Sequence, residues 1–254
     1  MLNLFAEMSQ RKFAKVAGFM YLGLIVFGIA SQVVRMGFIE PDDATKTANN
    51  IMANELKFNA ANVGWLISEM FLLFLGLALY VVLAPVNKIL AQLMVSFIIL
   101  GVAIESINTL NLFAAVHYLS GAEYLTVFSE EQLYAKAMYH IELWEVGYGI
   151  GTIMSFGPWL IPAGYLIYDS GYFPKILGVL AMLAGFGIMT EGYQLFLAPD
   201  FEAILIPAAL LGVVGEFAVC GWLILKGANI PSNDADEESK EEKVEAMTET
   251  KPKE

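Results

Sequence analysis

The sequence predicts an all-α fold: a polytopic bundle of six transmembrane helices, with both termini on the cytoplasmic side and a disordered acidic tail. Three observations lead there. Hydrophobic residues make up 57% of the chain and charged residues only 16%, against roughly half and a quarter in soluble domains. The charges gather near the N-terminus, in a few connections and in the tail. The stretches between them are long enough for the ~20 apolar residues that cross a ~30 Å hydrocarbon core. Helix-start and helix-stop signals fall between those stretches. The chain thus divides into an amphipathic segment (1–15), a six-span domain (16–226) and the tail (227–254).

The first segment carries Leu2, Leu4, Phe5 and Met8, suited to a membrane surface. Arg11, Lys12 and Lys15 precede an apolar run in the manner of a signal peptide, but the charged region is long. A retained first span over residues 16–36 is expected, ending with Gln32 and Arg35. A polar connection follows over 40–59. Pro41, Asp42 and Asp43 form a helix-start signal there, since Asp side chains accept from free N–H groups. Ile51, Met52, Leu56 and Phe58 would give that short helix an apolar side for the membrane surface.

The second span is expected over 60–84, closed by Pro85, and the third over 89–119. Ser129 to Gln132 has the spacing of a capping box and should open a helix. That helix, if unbroken to Tyr168, would be roughly 58 Å long at ~1.5 Å per residue. Its first part should therefore stand outside the bilayer, with Pro158 and Pro162 bending the fourth span. Asp169, Ser170 and Gly171 form a turn, and Pro174 suits a helix's first turn. The fifth span is expected over 175–197 and the sixth over 201–225, with Pro199 and Asp200 turning between them. The tail from Gly227 holds nine acidic residues and four lysines, a composition without enough apolar surface to fold.

Net charge is −12 with no basic stripe, which excludes nucleic acid as a partner and leaves the lipid bilayer. The single cysteine, Cys220, excludes an internal disulfide. Placing the N-terminus in the cytoplasm puts Arg11, Lys12, Lys15, Lys88, Lys175, Lys226 and the tail lysines inside, and Arg35, Lys46, Lys57 and Lys136 outside.

Three stretches carry a family resemblance. They are residues 164–178 (GYLIYDSGYFPKILG), 78–88 (ALYVVLAPVNK) and 108–112 (NTLNL). Together, in their order along the chain, they resemble an uncharacterised, mainly bacterial family of six-helix membrane proteins, a domain of unknown function (four-three-eight-six). The resemblance covers about Lys12 to Gly227. It implies the fold and the cell membrane of a prokaryote, and supplies no chemistry. The resemblance also implies a histidine in span four near Trp159, as in many members of that family, and this chain departs from it with aromatic bulk there.

Ionisable residues at membrane depth are costly unless paired or wetted, so they mark candidate sites. Here they are Arg35, Glu69, Glu105, Glu145, Glu191 and Glu216, joined by Asn108, Asn111 and Gln194. Glu105, Asn108 and Asn111 recur every third residue and share a helix face, as do Glu142 and Glu145, and Glu191 and Gln194. Five glutamates against one arginine fit a water-filled acidic cavity in the outer half better than hydrogen-bonding glue. His117 and His140 end one span and begin the next, so with Glu142 they are candidate ligands of a divalent metal such as zinc. Haem held by both histidines is a lesser alternative. Gly147, Gly149 and Gly151 lie within a helix and read as a packing face, not a phosphate loop. Trp144, Tyr148 and Trp159 read as packed or lipid-facing side chains, with lining a cavity as the alternative.

Three functions are open at this point. One is binding or passage of a small cation, proton or polar ligand through the acidic cavity. A second is a metal-dependent intramembrane enzyme acting on lipid, with glutamate as general base. The third is a non-catalytic sensor or partner subunit whose tail is the contact.

Overall fold

The computed structural model describes residues 10–230. Six helices in it are long and apolar enough to cross a membrane: Gln10–Met36, Glu55–Leu83, Lys88–Tyr118, Glu130–Asp169, Lys175–Leu197 and Glu202–Leu225. They are called spans one to six below. Each packs on its neighbours in the order one, two, three, four, five, six and back to one, closing a ring. An even number of crossings leaves both ends of the described chain at one end of the bundle, the terminal end. The opposite, distal end carries the connections over 37–54, 119–129 and 198–201.

Local chemistry places the helix starts. The Asp43 side chain accepts from Lys46 N at 2.8 Å and opens a short helix, Ala44–Ala53. Asn87 accepts from Leu90 N at 3.1 Å at the start of span three. Ser129 and Gln132 form the capping box reciprocally, at 3.3 and 3.0 Å. The Ala44–Ala53 helix differs from expectation. Thr47, Ala48 and Ile51 are buried, and it packs on the distal extension of span four. Phe58 is also buried, edge-on to Phe38 at 5.4 Å, while Met52 and Leu56 stay exposed. The apolar side therefore caps the bundle's distal end, because span four projects far enough to receive it.

Two spans are interrupted. Span three breaks at Thr109, whose hydroxyl donates back to Glu105 O at 2.7 Å, a side-chain bond that bends helices. In span four, residues Thr152–Phe156 form a π turn in which Gly157 N donates to Thr152 O at 3.2 Å. Pro158 follows it and has no N–H to give.

That π turn fits a glycine seam between spans four and five. A side-chain carbon at Gly164 would stand 2.5 Å from Gly178 O, one at Gly157 2.5 Å from Gly185 O, and one at Gly192 2.5 Å from Gly149 O. The two backbones touch at all three levels, as small residues permit. On span five these glycines are spaced by seven. On span four the interval is seven from Gly157 to Gly164 but eight from Gly149 to Gly157. The π turn lies inside the longer interval and absorbs the extra residue, keeping both ends in register.

Buried apolar side chains form two cores. The larger, at the terminal end and centre, includes Tyr21, Leu72, Leu79, Ile98, Trp159 and Leu166. The smaller, at the distal end, includes Phe38, Ile51, Phe58, Trp65, Leu112 and Trp144. The expected segment 1–15 is described only from Gln10, within span one. Of the expected tail, Ala228 and Ile230 are buried, and Arg11 donates to Ile230 O at 3.1 and 2.5 Å. The remainder, 231–254, lies outside the described residues.

Candidate functional site

Between the two cores lies a polar layer, and its one buried cation is Arg35. It is 1% exposed and is the only buried Lys or Arg among the described residues. Its guanidinium lies 4.0 Å from the Trp144 ring centroid and 5.3 Å from that of Trp65. These rings supply the electron-rich faces that a desolvated cation favours. Arg35 Nη1 donates to Gln32 Oε1 at 3.1 Å, whereas Nε and Nη2 have no partner. The one ion pair within 4.0 Å among the described residues is Lys46–Glu40, on the distal surface. Glu40 there raises the Lys46 pKa above its ordinary value. The carboxylate whose charge bears on Arg35 is Glu105, farther than 4.0 Å away.

Glu105 receives a directional chain of amides. His140 Nδ1 meets Asn111 Oδ1 at 3.1 Å, Asn111 Nδ2 donates to Asn108 Oδ1 at 3.2 Å, and Asn108 Nδ2 lies 3.5 Å from both Glu105 oxygens. Asn108 Nδ2 also donates to Trp144 O at 2.9 Å. Every donor along this chain points towards Glu105, so the chain favours an acceptor there and requires the proton on His140 Nδ1. Gly147 and Gly151 make the approach possible: a side-chain carbon at Gly147 would overlap Asn108, and one at Gly151 would stand 2.9 Å from Glu105 Oε1.

On the terminal side of Arg35 a cavity of about 310 Å³ opens among spans one, two, four, five and six. Glu69, Glu191 and Glu216 line it, with Gln32, Ser68 and Tyr148, and no lysine or arginine does. Glu69 is 2% exposed and its Oε2 has no partner. Glu69 stands midway along span two, about 21 Å from either helix end at ~1.5 Å per residue. Glu216 accepts from the buried Tyr21 hydroxyl at 3.2 Å. Tyr148 lines the same cavity as Glu69, Glu191 and Glu216 and stacks on Trp144 with ring centroids 5.7 Å apart.

The structure therefore sorts the sequence candidates. Glu69, Glu191 and Glu216 share the cavity, while Arg35, Glu105, Asn108 and Asn111 form the network beside it. Glu145 belongs to neither. It is exposed and lies one turn distal to Gly149, which packs on Leu195 and Phe196 in the last turn of span five. Glu145 thus sits level with or beyond the distal end of span five. Gln194 Nε2 donates to Ala198 O and Pro199 O at 3.2 and 2.9 Å, capping the end of span five. The candidate metal ligands do not converge. His117 pairs with the Tyr124 hydroxyl, His140 binds Asn111 and stacks on Tyr118, and Glu142 is exposed. No group of three or more His, Cys, Asp or Glu able to hold a metal occurs among the described residues. The two span ends meet, but their histidines turn to different partners.

Similarity searches agree with the resemblance read in the sequence. A family model described as a domain of unknown function, DUF4386, matches residues 16–227. The chain belongs to this family. An uncharacterized protein of Archaeoglobus fulgidus is 30% identical over 157 residues, which is 61% of this chain and 76% of the relative. No solved structure matches the chain. In this DUF4386 chain, Trp159 is 2% exposed, lines the cavity and packs on Tyr21 with ring centroids 6.2 Å apart.

Sequence reasoning missed Trp65 and Tyr21 as members of the site, and Asn62 as a buried polar residue of span two. Asn62 is fully buried and neither of its amide atoms has a partner. Its signal was available: Asn62, Trp65 and Glu69 follow the i, i+3, i+7 spacing of one helix face.

Proposed function

We propose that this membrane protein binds a small cationic group in its central acidic cavity, as the ligand-recognition step of binding or passage. The observation that carries the reading is the charge of the lining. Three carboxylates at membrane depth face about 310 Å³ of space that no basic side chain enters, and the deepest of them, Glu69, has an unpartnered oxygen. Carboxylates held this way need a countercharge or protons. A cationic ligand supplies the first. Arg35 cannot serve, being stacked between Trp65 and Trp144 outside the lining.

The test is a titration of methylammonium into protein in lipid nanodiscs, followed by tryptophan fluorescence, since Trp65 and Trp159 line the cavity. Glu69→Gln and Glu216→Gln should each weaken binding at least tenfold. Affinity unchanged in both variants would overturn the reading.

The reading includes the orientation in a prokaryotic membrane, with the distal end away from the cytoplasm. Arg11, Lys12, Lys15, Lys88, Lys175 and Lys226 lie at the terminal end, as the positive-inside rule asks. In intact cells, an impermeant maleimide should label Lys46→Cys and spare Lys88→Cys. The reverse pattern would invert the topology.

A further inference from the structure

The cavity's mouth says which cations reach it. Spans one and six touch closely towards the terminal end. Side-chain carbon built at Gly18 would stand 2.8 Å from Ile224 N, Cys220 Sγ lies 3.8 Å from Gly18 O, and Tyr21 bonds Glu216 at 3.2 Å. Farther towards the distal end the two helices part. A side-chain carbon at Gly28 would meet only Ser68 of span two, and one at Gly212 only Ile188 of span five, so neither reaches across to the other helix. Both glycines line the cavity. The edge of this gap is apolar: Ile29, Val213 and Phe217 line the cavity and are 50%, 52% and 49% exposed. Ile29 lies seven residues before the distal end of its helix and Phe217 eight before the terminal end of its own, or about 10 and 12 Å inward at ~1.5 Å per residue. A gap between neighbouring spans at that depth faces acyl chains.

From these observations we infer that the cationic reading narrows to an amphipathic amine, a single ammonium on an apolar body, that enters sideways from the bilayer between spans one and six. The inference rests on the proposed cation site and adds the route and the shape of the ligand. A bare inorganic ion arriving through this gap would cross hydrocarbon unpaired, which is costly. An amine-bearing phospholipid keeps its headgroup at the interface and would not carry its amine to the depth of Glu69, midway along span two. A single-chain amine meets both demands. Its body matches the apolar edge and its ammonium meets Glu69, Glu191 and Glu216, with the unpartnered, buried Glu69 Oε2 as an acceptor.

The experiment uses the full chain in phosphatidylcholine nanodiscs with three probes: n-octylammonium, methylammonium and 1-octanol. Gly28→Leu and Gly212→Leu narrow the gap, and the first added carbon fits at both positions, since its nearest contacts lie at 3.9 and 3.4 Å. Thermal unfolding confirms that each variant folds. In both variants the association rate of n-octylammonium should fall at least tenfold, and by several times more than that of methylammonium. Unchanged octylammonium kinetics in both folded variants would overturn lateral entry and leave the cation site standing. Binding of 1-octanol as tight as that of n-octylammonium, or no binding of either cation to wild type, would overturn the cation site itself and the inference with it.

Discussion

Consider Arg35→Met, which keeps most of the side chain's length and removes its charge. Three favourable contributions go. The desolvated cation–π contacts, at 4.0 and 5.3 Å, are worth about 2 kcal/mol. The bond to Gln32 contributes about 1 kcal/mol. The attraction to Glu105 is bounded by distance: no carboxylate oxygen of a described residue lies within 4.0 Å of the guanidinium. At an effective dielectric of ~20, two charges 4 Å apart gain about 4 kcal/mol, so the real figure lies below that, near 2–3 kcal/mol. Against these stands relief. Nε and Nη2 are buried without partners, and freeing them returns about 1–3 kcal/mol each. The net cost is about 2 kcal/mol, much of it left on Glu105 as an uncompensated carboxylate. Arg35→Met combined with Glu105→Gln should therefore be less damaging than the sum of the two single changes, with a coupling free energy of about 2–3 kcal/mol. Reversible unfolding in mixed micelles across the four proteins measures it. A coupling below about 0.5 kcal/mol, the usual scatter of independent sites, would show that the tryptophans alone hold the guanidinium.

Three further outcomes follow from the packing. Gly185→Val should destabilise the bundle by about 1–3 kcal/mol through overpacking, since a side-chain carbon there would stand 2.6 Å from Gly157 O, whereas Gly221→Val, with nothing within 4 Å, should unfold close to wild type. Equal effects at both positions would dissolve the seam argument. Asn108→Ala removes the bond to Trp144 O and the link between Asn111 and Glu105; it should cost about 1–3 kcal/mol by leaving buried groups unpaired, measured by the same unfolding assay, while Asn111→Ala, being half-buried, should cost less. Ser129→Ala breaks one arm of the capping box and should cost about 1 kcal/mol, read as a lower melting temperature that Ser129→Asp restores.

How much of this was legible in the sequence varies with the physics involved. The spans were, because the bilayer demands a run of apolar residues whatever surrounds it, and the caps were, because Asp43 and Ser129 bond within their own turn. The meeting of polar groups was not, since it depends on helix phase and on the relative depth of neighbouring spans. Glu145 follows buried Trp144 directly and is turned ~100° from it, and only the height of span five reveals that it stands level with that helix's distal end. Gln194 carried the right spacing with Glu191 but found carbonyls at its own helix end. Asn62 lay near the start of the expected second span with no charge to mark it, while span two in fact begins earlier, at Glu55. For the histidines, a site needs side chains that converge, and Tyr124 and Asn111 draw them apart.

Span four is one residue longer than its own interlocking requires. The surplus is taken up by the π turn, and its cost is visible in the way Ser155 is driven against span three, where its hydroxyl donates to Phe97 O at 2.5 Å and leaves room at position 101 for glycine alone. A version of this helix lacking one residue between 152 and 156 would run as plain α-helix and still mesh with span five at all three glycines. Straightening the turn without shortening the chain would instead wind everything distal to it by ~100°, carrying Trp144 and Tyr148 off the guanidinium and off the cavity together. The spare residue thus acts as a phase setting for half a helix, and the ring around Arg35 exists at one value of it.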